Sequence, residues 1–159
     1  MIRFAVITIS DSAVAGTRAD LSGPALEQRV QELGWTVAAK QLLRDEVMEI
    51  AQALMKLADG GEIDVILTTG GTGLGPRDVT PEATRAAAHR EVPGFGEMMR
   101  AEGLKTTRFA PLSRGGAATR GQTLILNLPG SPRGAVDSFN VVAGLLPHAV
   151  DLLHGRTKH

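Results

Sequence analysis

Cysteine is absent from this chain of 159 residues. Disulfides, thiolate nucleophiles, zinc fingers and iron–sulfur clusters are therefore excluded. Tyrosine is absent too, and four Phe and one Trp complete the aromatic set. That is too little for a base-stacking platform. No charge of one sign prevails, since 17 Lys and Arg face 17 Asp and Glu. Nucleic-acid and membrane-surface binders normally carry a basic excess, so neither partner is expected. No stretch approaches 18 uncharged apolar residues, and the N-terminus Met1-Ile2-Arg3-Phe4 does not open a signal peptide. The expectation is a soluble, cytoplasmic protein.

What is there suits one domain over residues 1–159, long enough to bury a core, with 43% apolar residues. Glycine is in excess, at 19 of 159, and it is unevenly spread. The zero charge is a sum of opposites. Residues 1–75 hold 6 basic and 10 acidic side chains, and residues 76–159 hold 11 and 7. Arg100 to Arg133 is the most skewed stretch, with Arg100, Lys105, Arg108, Arg114, Arg120 and Arg133 against Glu102. It reads either as a solvated basic face or as a local anion site.

Arg3 to Ile9 reads as a strand buried on both faces. Ser22 caps a helix that Gly34 closes, and Trp35 to Leu43 is a second strand. Asp45 caps a helix whose apolar stripe runs through Val47, Ile50, Ala51, Leu54, Leu57 and Ala58. Asp64 to Thr69 is a third strand, running directly into Gly70-Gly71-Thr72-Gly73-Leu74-Gly75-Pro76. Thr80-Pro81-Glu82 starts a helix to Arg90, with Thr80 as its cap. Phe95 to Glu102 is a further helix, Phe109 to Leu112 a short strand, and Thr123 to Leu128 a clear one. A last helical region, Gly134 to Leu153, is interrupted at Pro147. The tail Gly155 to His159 reads as a frayed end. Strands alternating with helices predict an α/β fold with a mostly parallel sheet and helices on both faces. The Phe109–Gly121 region breaks that alternation and is expected to form an antiparallel edge.

Open α/β sheets bind ligands beyond the carboxyl ends of their strands. Three loops there carry unusual chemistry: Ser10-Asp11-Ser12, Gly70 to Thr80, and Leu128 to Gly134. Four glycines in the six positions Gly70–Gly75 let backbone N–H groups turn toward an anion. A tight surface turn would need the same residues, but Arg77 and Asp78 follow directly before a capped helix. The loop is no P-loop, because Gly-Lys-Ser/Thr is missing after Gly75. It is no dinucleotide fingerprint either, because Pro76 stands at the last glycine position. Asp45 and Asp78 are the best catalytic acids. Capping a helix start is the ordinary role for both, for Asp45 above all, but two carboxylates over a glycine-rich anion loop could also hold Mg²⁺ against phosphate oxygens. His89, His148, His154 and His159 show no ligand spacing, and no Ser-His-Asp arrangement can be argued.

The long motifs carry a resemblance. Thr68-Thr69-Gly70-Gly71-Thr72-Gly73, Pro76-Arg77-Asp78-Val79-Thr80-Pro81-Glu82-Ala83, Pro93-Gly94-Phe95-Gly96-Glu97, Leu112-Ser113-Arg114 and Leu126-Asn127-Leu128-Pro129-Gly130-Ser131-Pro132 resemble the molybdenum-cofactor biosynthesis proteins of the MogA/MoaB type. The late Leu146-Pro147-His148-Ala149-Val150-Asp151-Leu152-Leu153 is similar to the G domains of gephyrin.

The resemblance implies a three-layer αβα domain, usually a homotrimer. It implies a molybdopterin adenylyltransferase, which joins the terminal phosphate of molybdopterin to the AMP part of ATP and releases pyrophosphate. It implies Mg²⁺, with Asp45 and Asp78 as catalytic and metal-holding acids. The nucleotide falls to Gly70, Gly71, Thr72 and Gly73. Molybdopterin falls to Ser10, Asp11, Ser113, Arg114, Pro129, Gly130 and Ser131. Arg77 or Arg114 adds a further cation, and the sequence does not choose between them. Metal insertion falls to a separate MoeA-like protein. The alternatives are a MoaB-type pterin-binding or scaffold protein without catalysis, and a CinA-like nucleotide hydrolase.

Overall fold

Strand residues of this chain alternate between two cores, and that alternation sets the layers. In the computed structural model, which describes residues 1–157, the strands are β1 (Arg3–Ile9), β2 (Thr36–Leu43), β3 (Val65–Thr69), β4 (Arg90–Val92), β5 (Gly116–Arg120) and β6 (Thr123–Leu128). The end of the tail expected to fray, Lys158 and His159, lies outside the described residues. The helices are α1 (Asp11–Val14), α2 (Ser22–Glu32), α3 (Val47–Asp59), α4 (Thr80–Ala87), α5 (Pro93–Gly103), α6 (Pro132–Val142) and α7 (Leu146–Leu153).

Phe4 and Val6, Val65 and Leu67, and Leu124, Leu126 and Leu128 point to one face, where they pack with Leu26, Met99, Phe139, Leu146 and Val150 of α2, α5, α6 and α7. Ala5, Ile7 and Ile9, with Ile66 and Ile125, point to the other, against Ile50, Leu54, Ala83 and Ala87 of α3 and α4. The result is the expected three-layer αβα sandwich. Phe4, Trp35 and Phe139 meet with ring centroids 5.3–6.5 Å apart, so most of the scarce aromatic surface is spent inside the core. By length and composition the helical run Pro132–Leu153 is apolar enough to cross a membrane. Its apolar residues Phe139, Val142, Leu146 and Val150 are core residues of the first face, which accounts for that composition.

The sheet order is β2-β1-β3-β6-β5-β4. β2, β1, β3 and β6 run parallel, and β5 is antiparallel to both of its neighbours. The antiparallel strand therefore lies one place in from the edge, and the edge is β4. Three local expectations are corrected. Phe109–Leu112 forms no strand: Ala110–Leu112 is a 3₁₀ turn, with Pro111 unable to donate to a ladder. Ser22 does not cap α2; Asp20 Oδ1 accepts from the Gly23 amide at 3.1 Å instead. Thr80 lies inside α4, and its hydroxyl donates to the Gly70 carbonyl at 2.8 Å.

Candidate functional site

The parallel strands β1, β3 and β6 end at one edge, and the loops that follow them make the site. Ser10 closes β1 by capping the short α1, its hydroxyl accepting from the Ala13 amide at 3.2 Å. Asp11 and Asp45 then cap each other across the edge. The Asp11 amide donates to Asp45 Oδ2 at 2.9 Å, and the Asp45 amide donates to Asp11 Oδ1 at 3.0 Å. The expectation that Asp45 caps α3 fails, because Glu46 holds the cap position and Asp45 faces Asp11, 34 positions away.

Glycine is required where the loop after β3 turns. Gly70 (φ +105°) and Gly71 (φ +69°) adopt a backbone that L residues rarely reach. A Cβ on Gly70 would stand 2.2 Å from the Ile9 carbonyl, and one on Gly71 would stand 2.2 Å from Thr80 Oγ1. Further on, Asp78 Oδ2 accepts from the Gly75 amide at 2.9 Å. Arg114 clips the loop from behind. It donates to the Gly73 carbonyl at 2.8 Å and to the Asp78 carbonyl at 2.7 Å, and it pairs with Glu82.

A cleft of about 320 Å³ opens here, lined by Ser10, Arg18, Asp20, Asp45, Gly70, Gly71, Asp78, Gly130 and Ser131 among others. A second cleft of about 280 Å³, more apolar, is lined by Met99, Arg100, Phe109, Ser113, Asn127, Pro129, Ser131 and neighbours. Ser131 lines both, so the Pro129–Ser131 turn is the ridge between them. The ridge is fixed at each side. Thr69 Oγ1 donates to the Pro129 carbonyl at 2.6 Å, and Ser131 caps α6 by accepting from the Gly134 amide at 3.1 Å.

The expected site residues thus divide. Asp45, Asp78, Gly70 and Gly71 share the first cleft, joined by Ser10 and Gly130. Ser113 and Pro129 line the second. Thr72, Gly73, Asp11 and Arg114 line neither. Thr72 is buried, and its carbonyl accepts from the Arg114 amide at 2.8 Å. The histidines His89, His148 and His154 line neither cleft; His159 lies outside the described residues. Arg18, Asp20 and Arg100 were not singled out for the site. Asp20 carried a signal, standing three residues before the Gly23 amide it caps. Arg100, which donates to the carbonyls of Ser113 and Gly115 at 3.3 and 2.6 Å, carried none beyond the basic skew of its region.

The charges are unequally settled. Arg77 bonds Asp11 at 3.0 and 3.2 Å and Glu46 at 2.9 Å, and this pairing holds the Asp11 carboxyl below its ordinary range. Glu82 is held low by Arg114. Asp45 goes the other way. Its partial burial raises its pKa, against the bond from the Asp11 amide, and the negative charges of Asp11 and Asp78 add to the rise. Two carboxylates in each other's field, one of them partly desolvated, fit a divalent cation. Among the described residues no group of three or more His, Asp or Glu could hold a metal by itself. A cation here would need its remaining ligands from water and a phosphate, as Mg²⁺ commonly takes them.

The class this defines is a three-layer α/β domain with a cleft at the carboxyl edge of its parallel strands, lined by a glycine turn and two aspartates. Comparison with known proteins makes it particular. The family described as "Probable molybdopterin binding domain" matches residues 5–148, and the chain belongs to that family. It is 39% identical to a molybdopterin adenylyltransferase of Helicobacter pylori, over 97% of this chain and 89% of that protein. It is 46% identical to the Drosophila melanogaster molybdenum cofactor synthesis protein cinnamon, over 96% of this chain but only 26% of that protein. The chain therefore spans about a quarter of the fly relative's length. The crystal structure of the molybdopterin biosynthesis enzyme MoaB from Thermus thermophilus superposes with a TM-score of 0.91 at 49% identity, covering 98% of both chains.

Proposed function

We propose that this protein transfers AMP from ATP to the terminal phosphate of molybdopterin and releases pyrophosphate. One observation carries the reading: the cleft with the glycine turn and the paired aspartates adjoins a second, more apolar cleft across the Pro129–Ser131 ridge. Two anionic substrates can meet at such a ridge, one from each side. A molybdopterin phosphate oxygen attacks the α-phosphorus of ATP. The bond from that phosphorus to the bridging oxygen breaks, and pyrophosphate leaves with the electron pair. In-line displacement of this kind asks for positioning and charge neutralisation, not for a covalent protein group. A chain without cysteine lacks nothing for it.

The Gly70 amide is spent on the Leu128 carbonyl at 3.1 Å, so the Gly71 amide orients the nucleotide phosphates, and the Pro129–Ser131 turn orients the acceptor. Asp45 and Asp78 would hold Mg²⁺, which when bound offsets charge on the α-phosphate and on the leaving group. The proposal extends to a cytoplasmic homotrimer that passes its product to a separate MoeA-like protein for metal insertion.

The test is anaerobic incubation of the purified protein with Mg²⁺, ATP and molybdopterin. Adenylylated molybdopterin and pyrophosphate are the expected products. Molybdopterin binding without product, beside a working control enzyme, would make the protein a scaffold. ATP hydrolysis independent of molybdopterin would make it a hydrolase.

A further inference from the structure

Cations are scarce where the phosphates would lie, and nearly all of them are already paired. Arg77 is held by Asp11 and Glu46, Arg114 by Glu82, and Arg44 by Glu49 at 3.0 Å. Arg133, just past the ridge, has Asp137 at 3.7 Å. Of the two arginines that the sequence offered as a further cation, neither lines the first or the second cleft. Arg18 differs on each count. It is the one basic residue among those lining the first cleft, beside the carboxylates of Asp20, Asp45 and Asp78. It is exposed, and it forms no ion pair with any of the described residues.

Its backbone, by contrast, is anchored. The Ser12 carbonyl accepts from the Arg18 amide at 3.3 Å and from the Thr17 amide and hydroxyl at 3.0 and 3.2 Å. The result is a fixed base carrying a guanidinium whose donors are still unspent. Such a fork matches phosphate oxygens, and arginine is suited to hold them.

Resting on the function proposed above, we infer that Arg18 holds the β- and γ-phosphates of the nucleotide. The position in the cleft decides which phosphates. Gly70 is buried at the end of β3, and the reacting α-phosphate belongs beside it and the two aspartates. Arg18 stands on the exposed segment between α1 and α2, at the mouth. The two phosphates that depart face the mouth, toward solvent. Arg18 is thus a nucleotide-side contact and does not touch the second cleft.

The experiment is calorimetric titration of ATP, pyrophosphate and AMP into the wild-type protein, Arg18→Ala and Arg18→Lys. Removing a charge-assisted phosphate contact is expected to weaken ATP and pyrophosphate about tenfold. AMP affinity stays at the wild-type value, and lysine restores part of the loss. The melting temperature of Arg18→Ala is unchanged, since its side chain pairs with no other described group. In the transfer assay KM for ATP rises while KM for molybdopterin does not. Equal ATP affinity in Arg18→Ala and wild type overturns the inference and leaves the proposed function standing. An equal loss for AMP and ATP overturns the assignment to the departing phosphates. A wild-type protein that binds no ATP removes the proposed function and the inference together.

Discussion

Asp45 and Asp64 are both partly withdrawn from solvent, and they stand at opposite ends of the same parallel strands. Asp64, just before β3, has a cation bonded to both of its carboxylate oxygens. It accepts from the Arg3 amide at 2.8 Å and from the Arg3 guanidinium at 3.1 and 3.2 Å, and His154 Nε2 lies 3.2 Å away. Despite its burial, these bonds hold its carboxyl below the ordinary range. Asp45, just after β2, has no cation bonded to it; it has a backbone amide and two acidic neighbours, and its pKa is raised. The fold thus bonds a cation to the carboxylate at one end and leaves the carboxylate at the other without one, and a perturbed acid in a cleft is where the proposed chemistry would be sought.

That contrast can be broken in three ways. Asp78→Asn acts at the unsettled end and has the largest expected effect. Turnover falls on the order of 10³-fold, while the melting temperature stays within a few degrees. Rates of AMP transfer and a thermal melt check it, and undiminished turnover would remove Asp78 from the reaction.

Gly70→Ala comes second. A methyl group directed at the Ile9 carbonyl, with φ at +105°, is expected to cost about 3 kcal/mol in urea unfolding. Gly116→Ala is the control, because its Cβ meets nothing within 4 Å and its cost should stay within about 0.5 kcal/mol.

Asp64→Asn comes third and belongs to the settled end. It is expected to lose about 1–2 kcal/mol at pH 7 with normal kcat. The sign with pH is fixed by the direction of the shift. A carboxyl whose pKa is lowered in the folded protein contributes stability above its unfolded value, 3.8, and loses it as pH falls through the folded value. The difference between wild type and Asp64→Asn is therefore full above about pH 4 and shrinks below it. A difference that grew on acidification would contradict the pairing.

The strands that mattered most were legible. β1, β3 and β6 are apolar runs because both of their faces are covered, and such runs need no alternating pattern. β4 and β5, reading Arg-Glu-Val and Gly-Ala-Ala-Thr-Arg, have too little apolar surface to declare themselves. The glycine loop was legible as a sharp turn, and Gly70 and Gly71 do adopt the positive φ that such a turn asks of glycine. What the sequence hid was long-range. The Asp11–Asp45 exchange joins residues 34 positions apart, and the clip from Arg114 to Gly73 joins residues 41 apart. Neither leaves a periodicity to read. Local capping rules offered the nearest roles instead: tertiary contacts overrode those of Asp45 and Thr80, while Ser22 lost its role to a nearer cap, Asp20.

That clip has a consequence for how the protein can change over time. The chain leaves the glycine loop at Thr72, travels through α4, β4 and α5, and returns to the same place where Arg114 bonds the Thr72 and Gly73 carbonyls. The excursion is closed at its root. Residues added at its far end, around Leu104–Phe109, would enlarge a circuit already shut, and the entropy of closure rises only slowly with length. Thr106, Thr107 and Phe109 of that outer stretch line the second cleft and not the first. Descendants of this sequence can therefore remodel what the second cleft accepts while Asp45 and Asp78 stay where they are.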